Sequence, residues 1–143
     1  MRPGGFYGWP YSYWGQHVDA RPYPRRPDLV ARAIKPDYGI GSHRGSLGFA
    51  FAAANTLTPE FREGAFVGQH GSWNRSRRNG FKVMFIPFRG GKPVGMPRDV
   101  LTGFLAPSGG AHGRPVGVVV DRSGGLLVAD DQGNSVWRVA AAR

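Results

Sequence analysis

The sequence contains no cysteine. Disulfide staples and thiolate metal sites are therefore excluded, while the redox compartment stays open. Lysine is nearly as scarce, with only Lys35, Lys82 and Lys92 among 19 basic residues. Acidic residues number nine, so the formal net charge is +10 and arginine carries it. No apolar run approaches the roughly 18–20 residues of a membrane-spanning helix. The opening stretch, MRPGGFYGWPYSYW, has an arginine but lacks the apolar core of a secretory leader, so no signal peptide is expected within this chain. Long helices are excluded too, because 23 glycines and 12 prolines interrupt the chain at short intervals.

What is present is enough apolar sequence for a packed core: 41% of residues are hydrophobic and 13% aromatic. A length of 143 residues suits one domain, or part of a larger one. The arginines are scattered, and only Arg25-Arg26 and Arg77-Arg78 are adjacent. That spread reads as a basic surface rather than a nucleic-acid stripe, and no recognition motif surrounds WNRSRRNG. Nucleic acid is therefore not an expected partner. Residues 1–28 are aromatic and proline-rich, which excludes helix and predicts an ordered loop. From about residue 46, short apolar runs alternate with turn signals: Leu47 to Ala53, Ala65 to Gln69, Phe81 to Phe88, Val100 to Leu105, Val116 to Val120, Leu126 to Ala129 and Ser135 to Ala140. Runs of this length and spacing predict an all-β meander, with a helical turn possible only in LTPEFREG.

The pattern strand, turn, strand, polar loop, strand occurs twice. GSLGFAFAAA…GAFVGQHG…FKVMFIPF is echoed by GRPVGVVVD…GLLVADDQG…SVWRVAAA. A repeat of roughly 60 residues with about four strands is what one blade of a β-propeller requires. The division follows: 1–45 as aromatic and proline-rich top-face loops and a blade edge, 46–105 as one blade, and 113–143 as the start of the last blade. With the strands lettered A to D, the B–C loop and the connection from D to the next A fall at the same end. His43, Arg44, Gln69 to Arg75, Arg114, Asp130, Asp131 and Asn134 are all predicted there. The A–B turns NTLTPEFREG and DRSGG fall at the other end. A polar face on a rigid scaffold is where a ligand site is expected.

At its centre is GQHGSWNRS, residues 68–76. With FYGWPYSYWGQHVD, RPDLVARAIKPDYGIGSHRGSLGFAF and GRPVGVVVDRSGGLLVADD, it resembles the C-terminal part of the L-sorbosone dehydrogenase group of the glucose/sorbosone dehydrogenases. The resemblance implies a C-terminal fragment, two to three blades, of a six-bladed β-propeller. It also implies pyrroloquinoline quinone (PQQ) on the loop face over a calcium-supported site, with oxidation of a sugar or sugar-derived aldehyde. An external electron acceptor and a periplasmic location come with it. In that family the general-base histidine and the calcium loops precede the segment matched by Tyr7-Gly8-Trp9-Pro10, so no position here takes the catalytic base, and no metal ligand is assigned.

Arg75 matches best the late-blade cations that hold the quinone, and a guanidinium fork suits its carboxylates. Arg44 and Arg114 lie on loops of the same face. His70 is open to three readings: a base, a cofactor contact, or a loop-orienting group bonded to Asn74 or a backbone carbonyl. Trp73 either stacks on the quinone or packs between blades, the latter being the usual fate of such a residue. Asp130-Asp131 fall short of the six or more ligands calcium takes, which points to a turn-stabilising role. The competing reading of the whole chain is a non-catalytic propeller remnant or binding module. Either way, unpaired blade edges predict self-association.

Overall fold

The computed structural model describes residues 2–142. The chain divides into two compact units, Met1–Gly39 and Ile40–Arg143, so residues 40–45 group with the sheets that follow them. The first unit holds a two-stranded hairpin, β1 (Ser12–Tyr13) against β2 (His17–Val18), and one short helix, α1 (Pro27–Ala31). The helix corrects the expectation that this stretch has none. Pro27 stands in its first turn, where a missing N–H costs nothing, and Asp28 favours the same end. The aromatics of this unit are largely on its surface, since Trp9, Tyr13 and Tyr23 are all exposed.

The second unit is built from two antiparallel sheets. In the first, β3 (Ser46–Phe51), β4 (Gly64–Gln69), β5 (Lys82–Arg89) and β7 (Arg98–Leu101) lie side by side. The short β6 (Lys92–Pro93) folds back on the end of β5 through the RGGKP turn, where the sequence suggested only a turn. The second sheet is β8 (Pro115–Val120), β9 (Leu126–Asp130) and β10 (Ser135–Val139). All seven apolar runs become strands. The run Val100 to Leu105 is shorter than expected, and Leu105 instead makes an isolated bridge to Ala111. The expected helical turn is the 3-10 segment Pro59–Phe61. The fold is all-β, with three sheets and little helix. No helix among the described residues is long and apolar enough to cross a membrane.

Alternation decides which faces meet. Ala50, Phe66 and Phe85 are cross-strand partners, so they share one face of the first sheet. That face packs on Val118, Leu126 and Val128 of the second sheet to form the core. The rings of Phe61, Phe66 and Phe85 sit 5.1–6.0 Å apart within it, in the tilted and edge-on arrangements aromatic pairs prefer. Two glycines set how close the sheets come. A Cβ on Gly48 would lie 2.1 Å from the Val116 carbonyl oxygen, and one on Gly68 would lie 2.8 Å from the same atom.

The connections sort to two ends. At one end Thr56 N donates to Gly124 O (2.9 Å) and Thr56 Oγ1 to Ser123 O (3.2 Å), joining the first turn of each sheet. Asp121 closes the DRSGG turn there by accepting from the N–H groups of Ser123 and Gly125 and from Arg138 Nε. At the opposite end lie the polar loops.

Candidate functional site

The GQHGSWNRS stretch leaves β4 and is at once tied to the loop ahead of β3. His70 N donates to Gly45 O (2.8 Å) and Gly71 N to Arg44 O (2.9 Å). Gly71 has φ +96° and lies flat on the Phe81 ring, where a Cβ would be 2.4 Å from two ring carbons. Only glycine satisfies both demands. Ser72 and Asn79 then close the loop base: Ser72 N donates to Asn79 O (2.9 Å) and Asn79 N to Ser72 Oγ (3.0 Å). Between them residues 73–78 form an exposed tip.

The second sheet supplies the other wall. The Arg114 guanidinium stacks 4.9 Å above the Phe81 ring, a cation–π contact on a buried aromatic. Its Nε donates to Gln132 Oε1 (2.9 Å), and its Nη1 faces His70 Nδ1 at 3.4 Å. His70 Nε2 lies 3.0 and 3.1 Å from the two carboxylate oxygens of Asp131. An arginine nitrogen can only donate, so this network assigns the single proton of a neutral ring to Nε2, where it is given to Asp131. In this arrangement both ring nitrogens are engaged, Nε2 with Asp131 and Nδ1 with Arg114. The side-chain bond is to Asp131, where an orienting histidine was expected to bond Asn74 or a backbone carbonyl.

Asp130 and Asp131 are adjacent but have separate tasks. Asp130 is buried, and its Oδ1 accepts from Arg114 N (2.7 Å) and Gly133 N (2.8 Å) while Oδ2 accepts from Trp137 Nε1 (3.1 Å). Burial alone pushes its carboxyl up. The N–H groups of Arg114, Gly133, Trp137 and the Gln132 backbone outweigh that and hold it below the ordinary carboxylate value. It stabilises the turn, as expected, while Asp131 reaches across to the first sheet.

Arg75, Arg44 and Trp73 complete the sequence-derived set. Arg75 is exposed, and its Nη1 donates to Ser42 Oγ over a long 3.4 Å. With the Asn79 amide turned to satisfy both its atoms, that side chain donates to His43 O (3.0 Å) and accepts from Arg75 Nη1 (3.3 Å). Arg44 is half-buried, and its Nε is buried without an acceptor. It lies against Gly41, where a Cβ would be 2.8 Å from that Nε. Trp73 is 86% exposed and so does not pack between the sheets, which corrects the expectation for such a residue. The structure thus links His70, Arg114 and Asp131 directly, and stitches Arg75 and Arg44 to them through residues 41–45 and 70–72. Asp131's partner, together with Gln132, Ser42 and Asn79, was not read from the sequence. The one available signal was the placement of DDQGN at the same end as His70.

A carboxylate-bearing ligand fits this site. Among the described residues Arg44 Nε is buried with no acceptor, which is costly, and Arg75 has only the long contacts to Ser42 and Asn79. Among the described residues no three His, Cys, Asp or Glu side chains gather where a metal ion could sit. A separate cleft of about 460 Å³ lies within the first unit. Its arginines are already engaged, Arg26 with Asp28 and Arg25 with Ala20 O.

The family model for TrAA12-like proteins matches residues 30–142, the whole of the two-sheet unit as described. The chain belongs to the TrAA12-like family. Solved structures superpose closely on this TrAA12-like chain. The calcium structure of the Trichoderma reesei enzyme of carbohydrate-active family AA12 gives a TM-score of 0.70 at 21% identity, covering 93% of this chain and 38% of the other. The holo PQQ domain of pyranose dehydrogenase from Coprinopsis cinerea gives 0.68 at 25% identity, covering 92% and 39%. A glucose dehydrogenase gives 0.66 at 21%, covering 96% and 36%. An uncharacterized protein of Borreliella burgdorferi is 29% identical over 134 residues, which is 93% of this chain and 35% of that protein. The TrAA12-like chain therefore spans little more than a third of the length of these relatives.

Proposed function

We propose that this TrAA12-like chain forms part of the PQQ-binding face of a sugar dehydrogenase, with its two sheets as blades of a propeller. The observation that carries the reading is the pair of under-used guanidinium groups. Arg44 Nε is buried without an acceptor, and Arg75 has only long bonds to Ser42 and Asn79, on loops tied together at one end of the sheets. PQQ has three carboxylates and an orthoquinone, and planar guanidinium forks match carboxylates with two parallel bonds. Arg75 and Arg44 would hold it, with Arg114 behind them. The bound quinone supplies a hydride acceptor. Arg75 aimed at the ring oxygens would stabilise the charge that builds there on reduction. Trp73, free of packing, is available as a stacking surface.

The support from relatives is the pyranose dehydrogenase PQQ domain, at 25% identity over 92% of this chain. Within that class we favour oxidation of a sugar-derived aldehyde of the sorbosone or aldose type in the periplasm, with electrons passed to an external acceptor. The substrate base and the calcium ligands are assigned to other parts of such an enzyme, as the resemblance implies.

Titration of the chain with PQQ, followed by quenching of tryptophan emission, tests this. Saturable binding is expected, weakened about tenfold by Arg75→Ala, the loss of one charge-assisted contact. A chain that is folded by circular dichroism and shows no saturable quenching would sink the reading and leave a binding module or remnant without the quinone.

A further inference from the structure

We infer that Asp131 is a positioning residue: acting through His70 it aims Arg114, and so makes the joint between the two sheets a carboxylate-binding clamp. The proposal deepens the quinone reading and rests on it only for which carboxylate is taken. The clamp is assembled from both sheets. Arg114, Asp131 and Gln132 come from the second, His70 and Phe81 from the first.

A guanidinium has five N–H donors in a fixed plane. Here Nε is spent on Gln132, one Nη1 hydrogen on His70, and the flat face on Phe81. Three contacts of different kinds leave the plane no freedom to turn, and the Nη2 edge is left without an acceptor among the described residues. Among the described residues no carboxylate pairs with Arg114, and the ion pairs at this end are His70 with Asp131 and Lys82 with Asp99. A held, unpaired fork is ready for an anion and loses little freedom on binding one.

The orientation depends on which nitrogen of His70 carries the proton. Nδ1 can accept from Arg114 only while it is bare. The Asp131 carboxylate keeps it so by taking the proton on Nε2, as a second group commonly fixes the tautomer of a functional imidazole. Without Asp131 the other tautomer becomes accessible, N–H would meet N–H, and Arg114 would swing off Phe81. Because the clamp spans both sheets, any anion it holds also favours their docked arrangement.

The test starts with nitrogen-15 spectra of the histidine rings in the ligand-free chain. His70 should carry its proton on Nε2 with Nδ1 bare, and Asp131→Ala should give mixed tautomers without loss of fold, because Asp131 is more than half exposed. PQQ titration should then show affinity falling about tenfold in Asp131→Ala. His70→Ala should fall similarly, and His70→Gln, whose amide can both donate to Asp131 and accept from Arg114, should recover most of the loss. Trimesate, a plain aromatic tricarboxylate, is the second probe. If PQQ fails to bind but trimesate shifts the Arg114 Nε–H signal in the wild-type chain and not in Asp131→Ala, the quinone reading falls and the clamp stands. A wild-type His70 with its proton on Nδ1, or an Asp131→Ala chain that binds both probes as wild type does, overturns the clamp. So does a wild-type chain that binds neither.

Discussion

Replacing Asp130 with alanine will cost the chain roughly 3 kcal/mol, the scale expected when a buried charged acceptor leaves its donors unanswered. Three N–H groups at 2.7–3.1 Å from its oxygens lose their acceptor together: those of Arg114, Gly133 and the Trp137 indole. The site is also closed around the carboxylate. A Cβ on Gly113 would lie 2.1 Å from Oδ2 and one on Gly133 would lie 2.4 Å from it, so the carboxylate is flanked by residues with no side chain that could move into the space left behind. Asparagine will not rescue. Its amide oxygen can serve the two backbone donors only by turning its NH2 toward Trp137 Nε1, donor against donor.

The pH dependence gives the sign independently. The folded carboxyl titrates below its unfolded value, so its contribution is fully present above about pH 4 and is lost as the pH falls through the lower, folded value. Urea unfolding followed by tryptophan emission should therefore show the gap between wild type and Asp130→Ala closing as the pH is lowered from about 5 towards 2. A gap that widened on acidification would mean that burial, not the N–H cradle, governs this group.

The strands were legible because each is a short apolar run with glycine or proline at its borders, as in Phe81 to Phe88 ending on RGGKP. The polar end was legible too, because an antiparallel meander fixes which connections share an end. The short helix Pro27–Ala31 was not. A proline-rich neighbourhood argues against helix until one proline happens to occupy the first turn. Arg75 and Arg44 could be placed on loops from the sequence, but not their spare donors, because Arg44's isolation depends on how Gly41 and Gly71 pack beside it. His70 showed the same limit. Its partner is 61 residues away on the other sheet, and no local pattern specifies a contact of that reach. The meander order puts both residues at one end, and only tertiary packing joins them.

Gly48→Ala will be about as damaging as the loss of Asp130, and it tests how the two sheets are joined. Its Cβ would fall 2.1 Å from the Val116 carbonyl oxygen and 3.0 Å from Val118 N. Both are backbone atoms inside a paired strand and cannot turn aside as a side chain would. The sheets must separate, and the face carrying Phe66, Phe85, Val118 and Val128 opens with them. Overpacking of this kind costs about 1–3 kcal/mol, and the rigid obstacle puts Gly48→Ala at the upper end, a fall of roughly 10 °C in melting temperature. The internal repeat supplies the control. Aligning GSLGFAF with RPVGVVV sets Gly117 where Gly48 stands, yet a Cβ on Gly117 would meet nothing nearer than Ala129 Cβ at 3.9 Å. Gly117→Ala should therefore leave the melt of this chain unchanged, because Gly117 and its neighbours Val119 and Val136 lie on an uncovered face. In a longer protein whose next blade packs on that face as the second sheet packs on Gly48, the same substitution will be disruptive. Measuring Gly117→Ala in both contexts thus reads out directly whether these sheets are neighbours in a propeller: equal tolerance in the two would leave the second sheet as a true outer surface and refute the blade assignment.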